Sequence, residues 1–283
     1  MSAEPARKLA EAPRTDRPRL SVCKPDESLE LPFGDTPPVL SYDTSASIDV
    51  TIFVACYNEE ENIIDTLDTV VAVMDDVGCS YEVIVVDDAS TDASVELVEE
   101  YRRQHPELPI LLKVNRKNRG LGRNFVDAAF MGRGKYYRLV CGDNVETCEK
   151  LVHVLGHMGQ ADLVLPYHEF CEGRSNGRRL LSRTYTRIIN FLSGNRVRYY
   201  NGCALYLRFH VMRWHSQTGG FGFQADLVTQ LLDEGVNHLE IHDPYAKDRT
   251  KGTARALTLR NLCSVGHVML LILIRRLRRA WLG

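Results

Sequence analysis

A chain of 283 residues with 44% hydrophobic and 25% charged side chains is long enough to bury a full core, as one large α/β domain or two small ones. A formal net charge of −2 argues against a general nucleic-acid binder. The eight cysteines (Cys23, Cys56, Cys79, Cys141, Cys148, Cys171, Cys203, Cys263) lack CxxC spacing and read as reduced structural thiols of a cytosolic protein, neither a disulfide frame nor a zinc site.

Residues 1–47 carry seven of the eleven prolines, which predicts a largely disordered lead-in with no signal peptide. The first strand is expected from Asp49 to Cys56. It ends at Tyr57-Asn58-Glu59-Glu60-Glu61, where Asn58 is the expected helix N-cap and the glutamates suit the positive end of the helix dipole. Ile63, Ile64, Leu67, Val70, Val71 and Met74 then fall on one helical side. Tyr81 to Asp87 is a continuous β-branched run, the pattern of a parallel strand covered on both faces, and closes a right-handed βαβ unit. The run stops at Asp87-Asp88-Ala89-Ser90-Thr91-Asp92. Open α/β sheets take their ligands beyond the carboxyl ends of such strands. Two adjacent carboxylates there cannot both turn outward, so at least one is expected to face the crevice.

A second helix (about 93–105), a strand (110–114) and a third helix (about 122–131) continue the alternation. Gly120 and Gly122 either let a backbone approach a ligand or punctuate a turn. A strand from Tyr136 to Val140 leads into Cys141-Gly142-Asp143-Asn144-Val145-Glu146. An acid here beside a diphosphate is the usual place for a hard divalent cation; the alternative is that Asp143 or Asn144 caps the helix starting near Glu146.

In this order the turns resemble those of the family 2 glycosyltransferases of the GT-A fold. The resemblance rests on Tyr57-Asn58-Glu59, Asp87-Asp88-x-Ser90-x-Asp92, Gly120-Leu121-Gly122 and Asp143, each after a successive strand. Further on, Arg179 to Arg183 with Asn190, Asn201-Gly202 to Tyr206, Gly222-Phe223-Gln224-Ala225-Asp226 and Arg249-x-x-Gly252-x-x-Arg255 are similar to the dolichol-phosphate mannose synthase branch, which loads sugars onto polyprenyl phosphates.

The resemblance implies a mostly parallel sheet flanked by helices and a GT-A domain over 48–255, with a nucleotide-binding half (48–146) and an acceptor half (147–255). It implies a nucleoside-diphosphate sugar held by Ala55, Tyr57, Glu59, one or both of Asp87 and Asp88, Gly120 and Gly122. Asp143 would hold Mg2+ or Mn2+ and join Asp226 and Arg249 as the catalytic set. Arg179, Ser182, Arg183, Gln224, Arg249, Lys251 and Arg255 would bind acceptor and phosphate. One departure stands out. The branch writes its metal turn Asp-x-Asp-x-polar, and this chain has Cys141 and Val145 at the flanking positions, leaving Asp143, with Glu146 as the substitute ligand.

The charges also point to an anionic acceptor. Residues 173–198 contain seven arginines (Arg174, Arg178, Arg179, Arg183, Arg187, Arg196, Arg198) and no acid, and from Lys247 onward nine basic residues face the single acid Asp248. A phosphate monoester, with a second pKa of ~6, is already an anionic nucleophile, so transfer to it is expected as an inverting displacement without a general base. A hydroxyl acceptor would need one, and Asp226 is the candidate. The apolar run Leu262 to Ile274, too short for the ~20 residues that span a bilayer, ends in Arg275-Arg276-Leu277-Arg278-Arg279-Ala280-Trp281. Residues 256–283 therefore read as an interfacial anchor on an anionic membrane surface, on its cytoplasmic face, or as a helix packed on the domain or in a homo-oligomer. Transfer to a saccharide or small hydroxyl acceptor is the enzymatic alternative. A nucleotide-sugar binder that has lost its chemistry is the other.

Overall fold

The computed structural model describes residues 48–168, 175–214, 222–245 and 259–282. The Pro-rich lead-in and the stretch holding Arg249, Lys251 and Arg255 lie outside the described residues. The chain alternates β1 (Val50–Cys56), α1 (Ile63–Val77), β2 (Tyr81–Asp87), α2 (Ser94–Gln104), β3 (Ile110–Val114), α3 (Leu121–Met131), β4 (Tyr136–Cys141), α4 (Cys148–Leu155) and β5 (Leu163–Tyr167). It continues through α5 (Asn176–Ser193), β6 (Leu205–Leu207), α6 (Arg208–Arg213), α7 (Phe223–Asp233), β7 (His238–His242) and α8 (Leu259–Leu282).

One seven-stranded sheet has the order β3-β2-β1-β4-β6-β5-β7. Every pairing is parallel except those of β6, which runs antiparallel to β4 and to β5. Side chains alternate across the sheet. Phe53, Ile84 and Val86 join Phe125, Tyr137 and Phe223 beneath α3, α5, α7 and α8, while Ile52, Val54, Val83 and Val85 join Leu67, Val98 and Val154 beneath α1, α2 and α4. Cover on both faces is why β1 and β2 read as unbroken apolar runs.

The helix α8 is one 24-residue element. Its Val268 and Ile272 are buried in the same core as Phe223 and Leu227, so the C-terminal segment packs against the domain. No helix among the described residues is long and apolar enough to cross a membrane.

Candidate active site

Parallel β2, β1 and β4 lie side by side, with Cys56 level with Asp87 and Ala55 level with Cys141. Their carboxyl ends therefore finish together, and the turns carrying Tyr57 and Glu59, Asp87 and Asp88, and Asp143 share one edge of the sheet. Among the described residues, the non-glycine residues with positive φ are Asn58 (55°), Ala89 (66°) and Asn144 (51°). Each sits in one of these three turns. Non-glycine residues avoid this region unless neighbours hold them there, and such strain collects at functional sites.

The first two turns are laced together. The Asn58 N–H donates to Ser90 Oγ (2.9 Å), Glu59 N–H to Ser94 Oγ (2.9 Å) and Glu60 N–H to Asp92 Oδ2 (3.1 Å). In return Asn58 Oδ1 accepts from Thr91 N–H at 2.8 Å and Glu60 Oε2 from Ala93 N–H at 2.9 Å. Asn58 is thus a cross-link between turns, and the expected cap is displaced: α1 starts at Ile63 behind Asn62, which makes no side-chain capping bond.

In the second turn Asp87 and Asp88 are both buried. Asp87 accepts from Ser90 N–H (3.0 Å) and from the Ser90 hydroxyl. Asp88 reaches into the β3–α3 loop, accepting from Asn115 Nδ2 (3.0 Å), Arg119 N–H (2.8 Å) and Gly120 N–H (2.9 Å). Burial alone would raise the Asp88 pKa, but these donors, with the Asn124 amide, hold it below the ordinary value. Gly120 has φ 87° and ψ 152°, a conformation only glycine adopts without strain. Asp88 and Gly120 together bring Gly122, buried in the first turn of α3, to the same edge.

The third turn is pinned to the first strand through Gly142 N–H, which donates to Ala55 O at 2.9 Å. A Cβ at Gly142 would lie 2.8 Å from that oxygen, so the approach needs glycine. Thr147, and neither Asp143 nor Asn144, caps the following helix, its side chain accepting from Lys150 N–H at 3.3 Å. One expectation for this turn changes. Glu146, proposed as a substitute metal ligand, is buried and held by Arg138 Nη2 at 2.8 and 3.0 Å and by Lys150 Nζ at 3.0 Å. Two cations neutralise it, which removes it as a ligand for a third. Cys141, at the first acid position, has its thiol pushed well up by a hydrogen bond with Cys203 and by burial, so it is neutral near pH 7. No group of three or more His, Cys, Asp or Glu among the described residues could hold a metal ion. Asp143, partly buried, is the remaining carboxylate of the turn.

The acceptor-half residues are placed differently. Asp226 and Gln224 lie in the first turn of α7. Asp226 Oδ1 accepts from Arg275 Nη2 of α8 at 3.0 Å, and Oδ2 from Trp214 Nε1 at 3.3 Å. A base there must first give up Arg275, so the geometry is that of an anchor for α8. Arg179, Ser182 and Arg183 lie on α5. Asn190 is structural: its amide bonds Val197 O (2.8 Å) and N–H (3.1 Å) and takes the Tyr200 hydroxyl at 2.7 Å. Sequence reasoning passed over Arg138, and read Arg275 as part of the basic tail without its Asp226 partner. An arginine inside the buried run Tyr136-Tyr137-Arg138-Leu139-Val140 is itself a signal of an ionic partner, since such a charge is not left unpaired.

The sequence model described as Glycosyl transferase family 2 matches residues 51–214, more than half of the chain. Over 102 residues the chain is 31% identical to a dolichyl-phosphate beta-glucosyltransferase of Dictyostelium discoideum, covering 34% of this chain and 31% of that one. Over 141 residues it is 28% identical to a poly(ribitol-phosphate) beta-glucosyltransferase of Bacillus spizizenii, covering 48% and 21%. The chain thus spans about a fifth to a half of the length of the curated relatives it matches. Among solved structures, glucosyl-3-phosphoglycerate synthase from Mycobacterium tuberculosis, in complex with Mn2+, uridine diphosphate and phosphoglyceric acid, superposes with a TM-score of 0.59 at 16% identity, covering 81% of this chain and 78% of that one. That likeness establishes the fold, GT-A.

Proposed function

Because the chain belongs to glycosyl transferase family 2, we propose that it is a glycosyltransferase moving a sugar from a nucleoside-diphosphate sugar to a polyprenyl phosphate. The observation that supports this reading is that β2, β1 and β4 end level, so that the turns after them share one edge of the sheet, with Gly120 bonded to Asp88 there; Ala55, Tyr57, Glu59, Asp87, Asp88, Gly120, Gly122 and Asp143 are the donor-site residues proposed on it. In the reading, the interlaced turns and the Asp88-fixed glycine loop cradle the nucleotide. The acceptor phosphate oxygen attacks the anomeric carbon, the bond from that carbon to the diphosphate oxygen breaks, and the nucleoside diphosphate leaves with the electron pair. Configuration inverts.

A phosphate acceptor is favoured because it needs no base, and Asp226 is engaged by Arg275 and Trp214. The acid-free arginine run of α5, with Gln224, Arg249, Lys251 and Arg255, suits phosphate oxygens. The similarity to a relative named for dolichyl phosphate supports the same acceptor class. In this reading Asp143 would be the residue that holds a Mg2+ or Mn2+ ion, which binds through few protein carboxylates because it keeps several waters. Such an ion would neutralise charge on the departing diphosphate. A lipid acceptor places the reaction at a membrane surface, in this reading the cytoplasmic one. The relative named for poly(ribitol-phosphate) motivates a second reading, transfer to a hydroxyl acceptor.

The test offers labelled uridine- and guanosine-diphosphate sugars with a polyprenyl phosphate, with and without Mg2+ or Mn2+. Labelled lipid extractable into organic solvent is the expected product. Label appearing only on a saccharide acceptor would support the second reading, and neither transfer nor donor hydrolysis would leave a nucleotide-sugar binder.

A further inference from the structure

We infer that α5 and α8 together form one bilayer-docking face that seats the protein on anionic lipid. On α5, Leu180, Leu181, Ile188 and Phe191 are exposed, Phe191 to 78%. At ~100° per residue these four fall within about a third of the helix circumference, flanked on one side by exposed Arg183 and Arg187. On α8, Leu270, Ile274, Leu277 and Trp281 are exposed, Trp281 to 87%. Their spacing makes one outward stripe, opposite the buried Val268 and Ile272. An amphipathic helix normally turns its apolar stripe to the core. Here each helix buries a few residues and leaves a second apolar stripe outside.

The two stripes belong to neighbouring helices. Arg276 of α8 donates to the carbonyl of Phe191 and, at 3.4 Å, to that of Leu192. This clasp sets Phe191 beside the Ile274–Leu277 stretch of α8. Neither helix contains an acid: α5 carries Arg178, Arg179, Arg183 and Arg187, and α8 ends in Arg275, Arg276, Arg278 and Arg279.

Charge selects the occupant. A second copy of the same face would set arginine rows against arginine rows. An anionic partner relieves that, and a bilayer is the anionic partner that also receives large exposed apolar side chains ringed by arginine and tryptophan. The choice of a bilayer rests on the lipid-acceptor reading above and adds to it where the molecule sits. The docking face is formed by two helices, one of them in the middle of the chain, and so is wider than the C-terminal segment alone.

The test is flotation of the full chain with phosphatidylcholine vesicles, with and without added phosphatidylglycerol, alongside the double variant Phe191→Ser/Trp281→Ser. Both side chains are largely exposed, so the fold is retained, which thermal melting checks. The chain is expected to float with the anionic vesicles and to shift its tryptophan emission to the blue, a signal that reports Trp281 because Trp214 is buried. The double variant should bind about tenfold or more weakly. The inference is overturned if the chain ignores anionic vesicles or if the double variant floats as well as the native chain. Two further results overturn it: a dimer in solution that the double variant dissociates, and capture by immobilised polyglutamate in place of vesicles, which would identify an acidic protein partner. Nucleotide-sugar binding, followed by thermal shift on the same samples, separates the two claims. Lost flotation with donor binding intact removes the docking face alone, and lost donor binding with flotation intact removes the transferase reading alone.

Discussion

Asp143 and Glu146 stand three residues apart in one turn and differ in almost everything that decides chemistry. Glu146 faces Arg138, which is wholly buried, and Lys150. Removing one member of a buried pair strands the other, so Glu146→Ala is expected to lower unfolding free energy by about 3–5 kcal/mol, seen as a fall in the urea midpoint. Asp143 caps no helix, and the transferase reading gives it the diphosphate. Asp143→Asn should lower kcat about a hundredfold or more with nucleotide-sugar binding still detectable by thermal shift, a split that separates a catalytic acid from a structural one. Gly120 supplies a third case. Its φ of 87° with ψ 152° requires a residue without Cβ, and its N–H is bonded to Asp88, so Gly120→Ala should cost about 1–3 kcal/mol and weaken donor binding, measurable by thermal shift with added nucleotide.

At the level of elements, the α7–α8 contact decides what Asp226 is for. Arg275 bonds Asp226 Oδ1 (3.0 Å) and Thr229 Oγ1 (2.9 Å) and reaches Asp233 Oδ2 at 3.3 Å, while Arg279 bonds Asp233 Oδ1 at 2.7 Å. One helix thus carries the acids and the next the arginines, and the clasp holds α8 over the core. Loss of a general base costs roughly 10²–10⁴ in rate. If the acceptor is a phosphate, Asp226→Asn should retain more than about a tenth of the transfer rate, because only the anchor is weakened; a fall of a hundredfold or more in kcat with donor binding intact would sink the phosphate reading. The same contact explains why the sequence left the tail open between a surface anchor and a helix packed on the domain. Its arginines find acids 42 to 49 residues earlier in the chain, and no local pattern reveals such a partner.

For the molecule as a whole, pH dependence follows from its buried and partly buried carboxylates. Burial pushes Glu82, Asp88, Asp92 and Glu146 upward, but the donors and cations around them outweigh it, and all four titrate below their ordinary values. Asp233 goes the other way, raised by burial beyond what Arg279 and Arg275 lower it. Four groups bind protons more readily unfolded, and one more readily folded. The stability the four contribute is present above the unfolded carboxylate pKa of ~4 and is lost as pH falls through their folded values. Asp233 offsets part of that loss. Thermal melts should therefore stay nearly level from pH 7 to about pH 5 and fall progressively below about pH 4, by roughly 5 °C or more at pH 3; a melting temperature that rises on acidification would contradict this balance.

The first four strands, their parallel run and the three acid-bearing turns were readable because a β-branched run and the polar break that ends it are local properties, fixed by backbone geometry within a few residues; β5, β6 and β7, short and without such a run and break, were not. Tyr81 to Asp87 announced a strand covered on both faces, and it is one. What the turn residues bind was not readable. Asn58 looked like a cap and is a cross-link to Thr91 and Ser90, Glu146 looked like a ligand and is the counter-ion of Arg138, and Asp226 is joined to Arg275. Local sequence determined where the chain would turn. Only the packed structure decided which carboxylate meets which cation, because those partners come together through the folding of distant segments, and a charge taken out of water must be matched by whatever the fold brings beside it.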